Sequence, residues 1–200
     1  MQIAEITSDV GYLRTAIVNL YFFGPPAAGD RGWVLIDAGM PGFAGSIARA
    51  AERRFGRRAR PAAIVLTHGH FDHVGALRTL AERWDAPIYA HPLELPYLTG
   101  AAAYPAPDPS VGGGMARMSP LFPRGPFDFG PRVSSLPQAG TVPGMPGWIW
   151  IHTPGHTPGH VSLFRERDRT LIVGDAFVTT RQESLFYALT QAIEMHGPPA

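Results

Sequence analysis

The segment "AAIVLTHGHFDH", residues 62–73, places three histidines and an aspartate directly after an apolar run. The apolar run predicts a buried strand, and the histidines lie where that strand ends. Side chains two residues apart in an extended segment point to the same side, so His68 and His70 can reach one metal ion. A helix that begins near Asp72 would bring His73 back toward the same point. Burying these polar groups unpaired would be costly, which favours a metal site over core packing or a solvated loop.

Three other apolar runs end in the same way. "WIWIHTPGHTPGH" carries His156, "TLIVGDAF" carries Asp175, and "VLIDAG" carries Asp37. Open α/β sheets place their sites at the carboxyl ends of strands. The sequence therefore predicts that side chains of metal-ligand type converge there. Asp37 is interpreted as a residue that orients the histidines rather than as a ligand.

Composition limits the chemistry and the partners. The 200 residues, 45% of them hydrophobic and 16% charged, predict a single folded domain over residues 1–200. Cysteine is absent, so a metal ion must be held by imidazole and carboxylate groups. The formal net charge of +1 predicts no nucleic-acid partner, and the arginine-rich run at 52–60 is interpreted as a solvated helix end. No secretion signal or apolar stretch of about 18 residues is recognisable, so no membrane partner and a cytoplasmic location are expected. The oligomeric state is left open.

The remaining pattern predicts an α/β fold. A pair of strands is expected within residues 3–23, and further strands at "GWVLIDAG", "AAIVL" and "APIYAH" alternate with helices. Ile47, Ala51 and Phe55 recur at helical spacing, as do Leu77, Leu80, Ala81 and Trp84. Residues 95–147 are rich in Pro and Gly, and we expect a loop that covers the substrate. Its aromatic residues fit either a specificity element or core packing.

The histidine segment, the "TPGHTPGH" segment and the late aspartate together resemble the metallo-β-lactamase superfamily of metallohydrolases. The motif positions are His68, His70, Asp72, His73, His156 and Asp175. The resemblance extends from "VLIDAG" to "VGDAF" and implies a four-layer αββα sandwich. It also implies a first zinc site at His68, His70 and His156. A second site would use Asp72 and His73, and Asp175 would bridge the two ions.

One family ligand has no obvious counterpart. The last metal histidine of the family normally lies well beyond the bridging aspartate, whereas here only His196 follows Asp175. Either His196 takes that place, or the chain is a C-terminally shortened version that lacks the ligand and the last elements. The second alternative is favoured, because a histidine near a chain end is more often solvated.

The resemblance implies a metal-dependent hydrolase of the glyoxalase II and lactonase side of the superfamily. Such an enzyme uses a metal-bound hydroxide on the ester, thioester or lactone bond of a small molecule, and Asp72 would orient that hydroxide. One or two Zn²⁺ ions per chain are expected. Iron is possible on the same ligands, which would suit a persulfide dioxygenase-like redox enzyme. A shortened, weakly active metal-binding protein is the third alternative.

Three further histidines, His160, His152 and His91, are interpreted as supporting or structural residues. His160 is expected to support the site or to pack near it, and His152 is expected to face away from the core. His91 follows the strand "APIYA" and is interpreted as structural, with a smaller chance that it lines the pocket.

Overall fold

A computed structural model describes residues 1–111 and 114–177 of the chain. Its larger sheet has seven strands, and their spatial order follows their order in the chain. The strands are β1 (Ala4–Thr7), β2 (Val10–Thr15), β3 (Val18–Phe23), β4 (Val34–Ile36), β5 (Ala63–Val65), β6 (Ile88–Ala90) and β7 (Val133–Ser135). Strands β1 to β4 pair antiparallel, and β4 to β7 pair parallel. The first 23 residues therefore form three strands where the sequence predicted two.

Strands β4 and β5 are buried on both faces of the sheet. Leu35 and Ile64 point to a core shared with helices, whereas Val34 and Val65 point to a core shared with a second sheet. This two-sided burial explains why both strands are continuous apolar runs without polar alternation. Their loops consequently emerge together at one edge of the sheet.

Helices cover one face of the large sheet. The α-helices are α1 (Ala44–Phe55), α2 (Phe71–Val74), α3 (Leu77–Trp84), α4 (Leu95–Leu98) and α5 (Gly114–Met118). The predicted apolar spacing is confirmed, because α1 buries Ile47, Ala51 and Phe55. The ring of Trp33 stacks on Phe55 with 4.5 Å between centroids and meets Trp84 of α3 edge-on at 5.3 Å. Aromatic pairs in these geometries add to the free energy of burial.

A smaller antiparallel sheet packs on the other face. It contains β8 (Trp148–His152), β9 (Val161–Arg165) and β10 (Thr170–Ile172), in the order β10-β9-β8. Trp148 and Leu163 of this sheet share a core with Val34 and Val65 of the large sheet. Helices, large sheet and small sheet are three layers of the predicted αββα sandwich. Among the described residues no helix covers the outer face of the small sheet, and the predicted loss of the last elements concerns positions outside those residues.

The expected loop at 95–147 is only partly irregular. It holds α4, α5 and β7, and it also holds short 3-10 turns at Pro109–Val111, Ser119–Leu121 and Gly130–Arg132. The expectation missed β7 because its three residues, one half-buried and two exposed, show no apolar alternation and carry no strand pattern of their own. Of its aromatic residues, Phe127 and Phe129 pack against the helix-side core, whereas Phe122 lines a cleft, and a role in specificity stays a prediction. No helix in the described ranges is long and apolar enough to cross a membrane.

The helix predicted after the histidines is interrupted between α2 and α3, at Gly75. A Cβ atom on Gly75 would lie 2.2 Å from Pro41 N and 2.6 Å from Met40 C. Since both atoms belong to backbone, neither can move aside cheaply. We therefore predict that Gly75→Ala lowers the free energy of unfolding by about 2 kcal/mol, the usual scale of overpacking.

Gly45→Ala is the matched control, because Gly45 lies in α1 and its added Cβ would meet only the flexible end of Arg49 at 3.4 Å. This variant should gain about 0.5–1 kcal/mol from helix propensity. Urea unfolding of the metal-free proteins measures both changes. Equal midpoints for the two variants would contradict the close approach at Gly75.

Candidate metal centre

The histidine segment leaves β5 at the edge where the parallel strands end. Thr67 and His68 are fully buried, and α2 begins at Phe71, so His73 turns back toward His68. The two rings lie 4.2 Å apart between centroids. His68 Nδ1 lies 3.1 Å from Thr67 Oγ1, whereas its buried Nε2 has no hydrogen-bond partner among the described residues. Such a nitrogen, with its lone pair available, is a metal ligand of the usual kind.

Three imidazoles converge at this point. One ring nitrogen from each of His68, His70 and His156 lies within 4.8 Å of the other two. His156 comes from the loop that follows β8, 86 residues away from His70 along the chain, and its Nε2 lies 2.9 Å from His70 Nδ1. The structure thus brings together the three residues predicted for the first site.

A second group lies beside the first. His68, His73 and Asp175 also place one ligand atom each within 4.8 Å of one another. Asp175 Oδ1 lies 3.3 Å from His73 Nε2, and its Oδ2 lies 3.4 Å from His156 Nε2. The carboxylate therefore sits between the two groups, as a bridging ligand would. Asp72 is more peripheral, because its Oδ2 lies 4.0 Å from His73 Nε2 and it belongs to neither three-residue group.

The buried carboxylate of Asp37 orients this segment. It accepts hydrogen bonds from Thr67 N and Thr67 Oγ1, both at 2.8 Å, and lies 2.9 Å from His73 Nδ1. A carboxylate on Nδ1 leaves His73 Nε2 facing the cluster. The residue has a left-handed φ of 60°, which Asp tolerates better than most residues. These contacts agree with the orienting role expected from the sequence.

The other histidines lie around the cluster. The backbone N–H of Asp175 donates to His160 Nε2 at 2.9 Å, so His160 holds Asp175 through its main chain. His160 Nδ1 lies 2.8 Å from Thr153 Oγ1. His91 stacks on the exposed His152 at 4.3 Å and does not contribute to the cleft described below. His196 lies outside the described residues.

Charges in the cluster oppose one another. Burial, reinforced by neighbouring histidines, holds the pKa of His68 well below its usual value and lowers the pKa of His70 to about 3. Burial also disfavours a charged His73, but the carboxylates of Asp37, Asp175 and Asp72 outweigh it and raise its pKa well above the ordinary value. For Asp175, burial is outweighed by His73 and His156, and its pKa is lowered.

The donor set suits a divalent cation. It offers neutral imidazole nitrogens, an ionised carboxylate and a fully buried Nε2 on His68 without a protein partner. Imidazole and carboxylate ligands of this kind bind zinc and other first-row metals. The residues present therefore fit the metal that the sequence predicted, and the identity of the ion is a separate question.

The cluster forms the floor of an open cleft of about 1280 Å³. His70, Asp72, His73, His156 and Asp175 all contribute to its lining. The walls include Tyr21, Phe71, Tyr104 and Phe122, and the last two come from the segment 95–147 predicted to cover a substrate. Burial and the nearby Asp37 raise the pKa of Tyr21 to about 12, so its hydroxyl remains a neutral donor.

Residues 14–198 match the family model of the metallo-beta-lactamase superfamily. The chain belongs to that superfamily. It is 49% identical over 197 residues to the probable metallo-hydrolase YflN of Bacillus subtilis (strain 168), an alignment that covers 98% of this chain and 74% of YflN. It is 36% identical over 149 residues to the probable metallo-hydrolase YybB of the same organism, covering 74% of this chain and 59% of YybB.

A solved structure agrees with this assignment. It is a HARLDQ-motif mutant of the metallo-beta-lactamase from Cronobacter sakazakii (Enterobacter sakazakii), with a TM-score of 0.59 and 25% identity over 82% of this chain. The match spans 58% of that enzyme's length. The predicted family and mixed α/β fold are confirmed. The predicted enzyme class, a metal-dependent hydrolase, agrees with the names of the two relatives.

Three residues that contact the histidine-bearing segments were given no role from the sequence: Thr67, Glu94 and Thr157. Thr67 and Thr157 lie within the quoted motifs, so their positions offered a local signal. Glu94 follows β6, where nothing in the local pattern distinguishes it.

In this protein without bound metal, we predict that His73 and His68 differ in charge at about pH 7. His73 should be an imidazolium, because its pKa is raised, and His68 should be neutral, because its pKa is lowered. Charged His73 stabilises the fold below about pH 6.5, and this contribution declines as the pH rises through its raised pKa. Neutral His68 has the opposite effect, since the unfolded chain takes up its proton first as the pH falls. Nitrogen-15 NMR of the imidazoles distinguishes the two.

Asp37→Asn provides the control for this titration. It removes the carboxylate that raises the pKa of His73 most, so the pKa of His73 should fall while His68 stays neutral. Two histidines that titrate together near their ordinary value in the native chain would contradict the assignment.

Proposed function

We propose that this chain is a zinc-dependent hydrolase that cleaves an ester, thioester or lactone bond in a small molecule. The convergence of His68, His70 and His156 at the floor of a large cleft carries the proposal. Membership in the superfamily and the metallo-hydrolase names of its relatives support the reaction class. The cytoplasmic location stays a prediction of the sequence.

The proposed ligands divide as the two groups suggest. His68, His70 and His156 would hold one zinc ion, while Asp72 and His73 would contribute to a second, with Asp175 shared between them. When bound, zinc acts as a Lewis acid toward a carbonyl oxygen and lowers the pKa of a coordinated water toward about 7. Whether His196 completes the second position concerns residues outside the described ranges.

The protein residues would prepare the cleaved bond for attack. Asp72 lines the cleft next to His73, and its carboxylate would orient the attacking water and accept a proton from it. Burial raises the pKa of Asp72, which makes it a better proton acceptor than an ordinary aspartate. Tyr21, which also lines the cleft, would donate a hydrogen bond to the substrate.

The cleft also bears on the substrate class. The rings of Phe71 and Phe122 lie 5.2 Å apart, and Tyr104 stands next to His70 with 4.7 Å between ring centroids. These rings form apolar walls near the proposed ligands. An acyl or ring substituent would fit there while its carbonyl group faces the metal.

Metal analysis and a substrate panel test the proposal together. Protein purified without chelators should contain at least about half an equivalent of zinc per chain, as a real site requires. The zinc form should hydrolyse a member of an ester, thioester and lactone panel, and chelation should abolish the activity. Less than a tenth of an equivalent, with no hydrolysis after zinc is added, would refute the proposal. Iron with dioxygen consumption would favour the redox alternative instead.

Replacement of single histidines tests the ligand assignment. His70→Ala should abolish measurable hydrolysis, because it removes a proposed ligand. His160→Ala should lose about 10- to 100-fold, the usual effect of removing a supporting partner, because His160 contacts Asp175 through the main-chain N–H and not through its carboxylate. Rates at saturating zinc, with circular dichroism as a folding control, make the comparison. Equal losses in the two variants would show that the "TPGHTPGH" segment is wrongly assigned.

A further inference from the structure

Glu94 is a fully buried carboxylate that lies between the two loops carrying His70 and His156. It ends the short 3-10 turn Pro92–Glu94 that follows β6. The residue belongs to neither metal group and does not line the cleft. Its role is therefore not explained by the proposed ligand set.

The two carboxylate oxygens of Glu94 divide between the two loops. Oε2 accepts hydrogen bonds from Gly69 N at 3.0 Å and from the Tyr104 hydroxyl. Oε1 accepts from Thr157 Oγ1 at 2.7 Å and from Gly159 N at 2.8 Å. Gly69 lies between His68 and His70, and Thr157 directly follows His156. One side chain thus connects two loops that are distant in the sequence, since Glu94 lies 25 residues after Gly69 and 65 residues before Gly159.

The loops approach Glu94 so closely that neither glycine has room for a side chain. A Cβ atom on Gly159 would lie 2.8 Å from Glu94 Cγ and 2.9 Å from its Oε1. On Gly69 it would lie 2.5 Å from the Tyr104 hydroxyl oxygen. Packing therefore requires glycine at positions 69 and 159, because both loops approach this carboxylate and its tyrosine partner closely.

The hydrogen-bond partners suit a carboxylate that acts as an acceptor at both oxygens. Two are backbone N–H groups, which can only donate, and the two hydroxyls donate as well. Among the described residues no arginine forms an ion pair with Glu94. A buried anion held by neutral donors is favoured by a cation nearby. The proposed metal position, on the histidines next to Gly69 and Thr157, would supply one.

We propose that Glu94 is a positioning residue that sets the separation of His70 and His156 and thereby the first metal position. The inference rests on the proposed metal site. Because Glu94 is bonded to the main chain on both sides, a change at this residue would move both loops and alter the affinity for the ion.

Metal titration of the 200-residue chain tests this role with four variants. Glu94→Gln keeps the size but places an amide N–H₂ against donors. Glu94→Asp keeps the charge but is one methylene shorter and cannot reach both loops. Thr157→Val keeps the carboxylate and removes one donor. Ile47→Ala, on the buried face of α1, is the control for loss of stability alone.

The probes are Zn²⁺, by competition with a chromophoric chelator, and Co²⁺, by its visible absorption spectrum. We expect Glu94→Gln and Glu94→Asp to bind both ions at least about tenfold more weakly than the native chain, with changed Co²⁺ bands. Thr157→Val should lose about three- to tenfold, the effect of one hydrogen bond, and it carries the test if the Glu94 variants do not fold. Ile47→Ala should melt at a lower temperature yet keep the native affinity and spectrum.

The other outcomes separate this inference from the proposed function. If Glu94→Gln keeps the native affinity and spectrum, the hydrogen bonds of Glu94 serve stability alone. The same result in Thr157→Val decides the question if that variant alone folds. Either result would overturn this inference and leave the proposed function intact. Full recovery in Glu94→Asp would assign the effect to charge and likewise overturn the positioning role. A native chain that binds neither ion would overturn both the inference and the proposed function.

Discussion

Polar groups at the buried ends of β4 and β5 must find partners inside the protein, and this requirement shapes the whole site. A buried donor or acceptor left unpaired costs about 1–3 kcal/mol. Two carboxylates provide these partners. Asp37 accepts from Thr67 and contacts His73. Glu94 accepts from Gly69 and from Gly159 in the loop that carries His156. With these contacts made, the buried Nε2 atoms of His68 and His73 are left without a hydrogen-bond partner among the described residues, and His73 Nε2 lies 3.3 Å from the Asp175 carboxylate.

Layering explains why the side chains of the candidate metal centre meet at this edge. The parallel strands are covered by helices on one side and by the small sheet on the other, so their loops can be open only at the strand ends. The small sheet brings its own loops to the same place, because Val161 N donates to Thr67 O at 2.9 Å across the two sheets. His156 and Asp175 follow β8 and β10 and therefore arrive opposite the histidine segment.

Buried charges serve different purposes in the two halves of the molecule. Arg165 is buried in the small sheet and forms ion pairs with Asp9 at 2.7 Å and Asp168 at 2.6 Å. Its guanidinium also lies 4.8 Å from the ring of Trp148, so its charge is matched locally and its role is architectural. Glu94 has four neutral donors instead, and Asp175 has histidines. The buried negative charges of Glu94 and Asp175, which no arginine neutralises among the described residues, therefore lie next to the proposed metal position.

The sequence by itself determined the kinds of ligand and the strand ends that carry them. His68, His70 and His73 are recognisable because their spacing and the preceding apolar run are local, and local patterns follow from strand and helix periodicity. The helix-forming runs of α1 and α3 were predictable for the same reason. Only the tertiary structure decided which ligand types meet, since His70 and His156 are 86 residues apart. It also decided the roles of Glu94 and β7, because a buried carboxylate and a three-residue edge strand acquire their partners through long-range packing rather than through any pattern of their own.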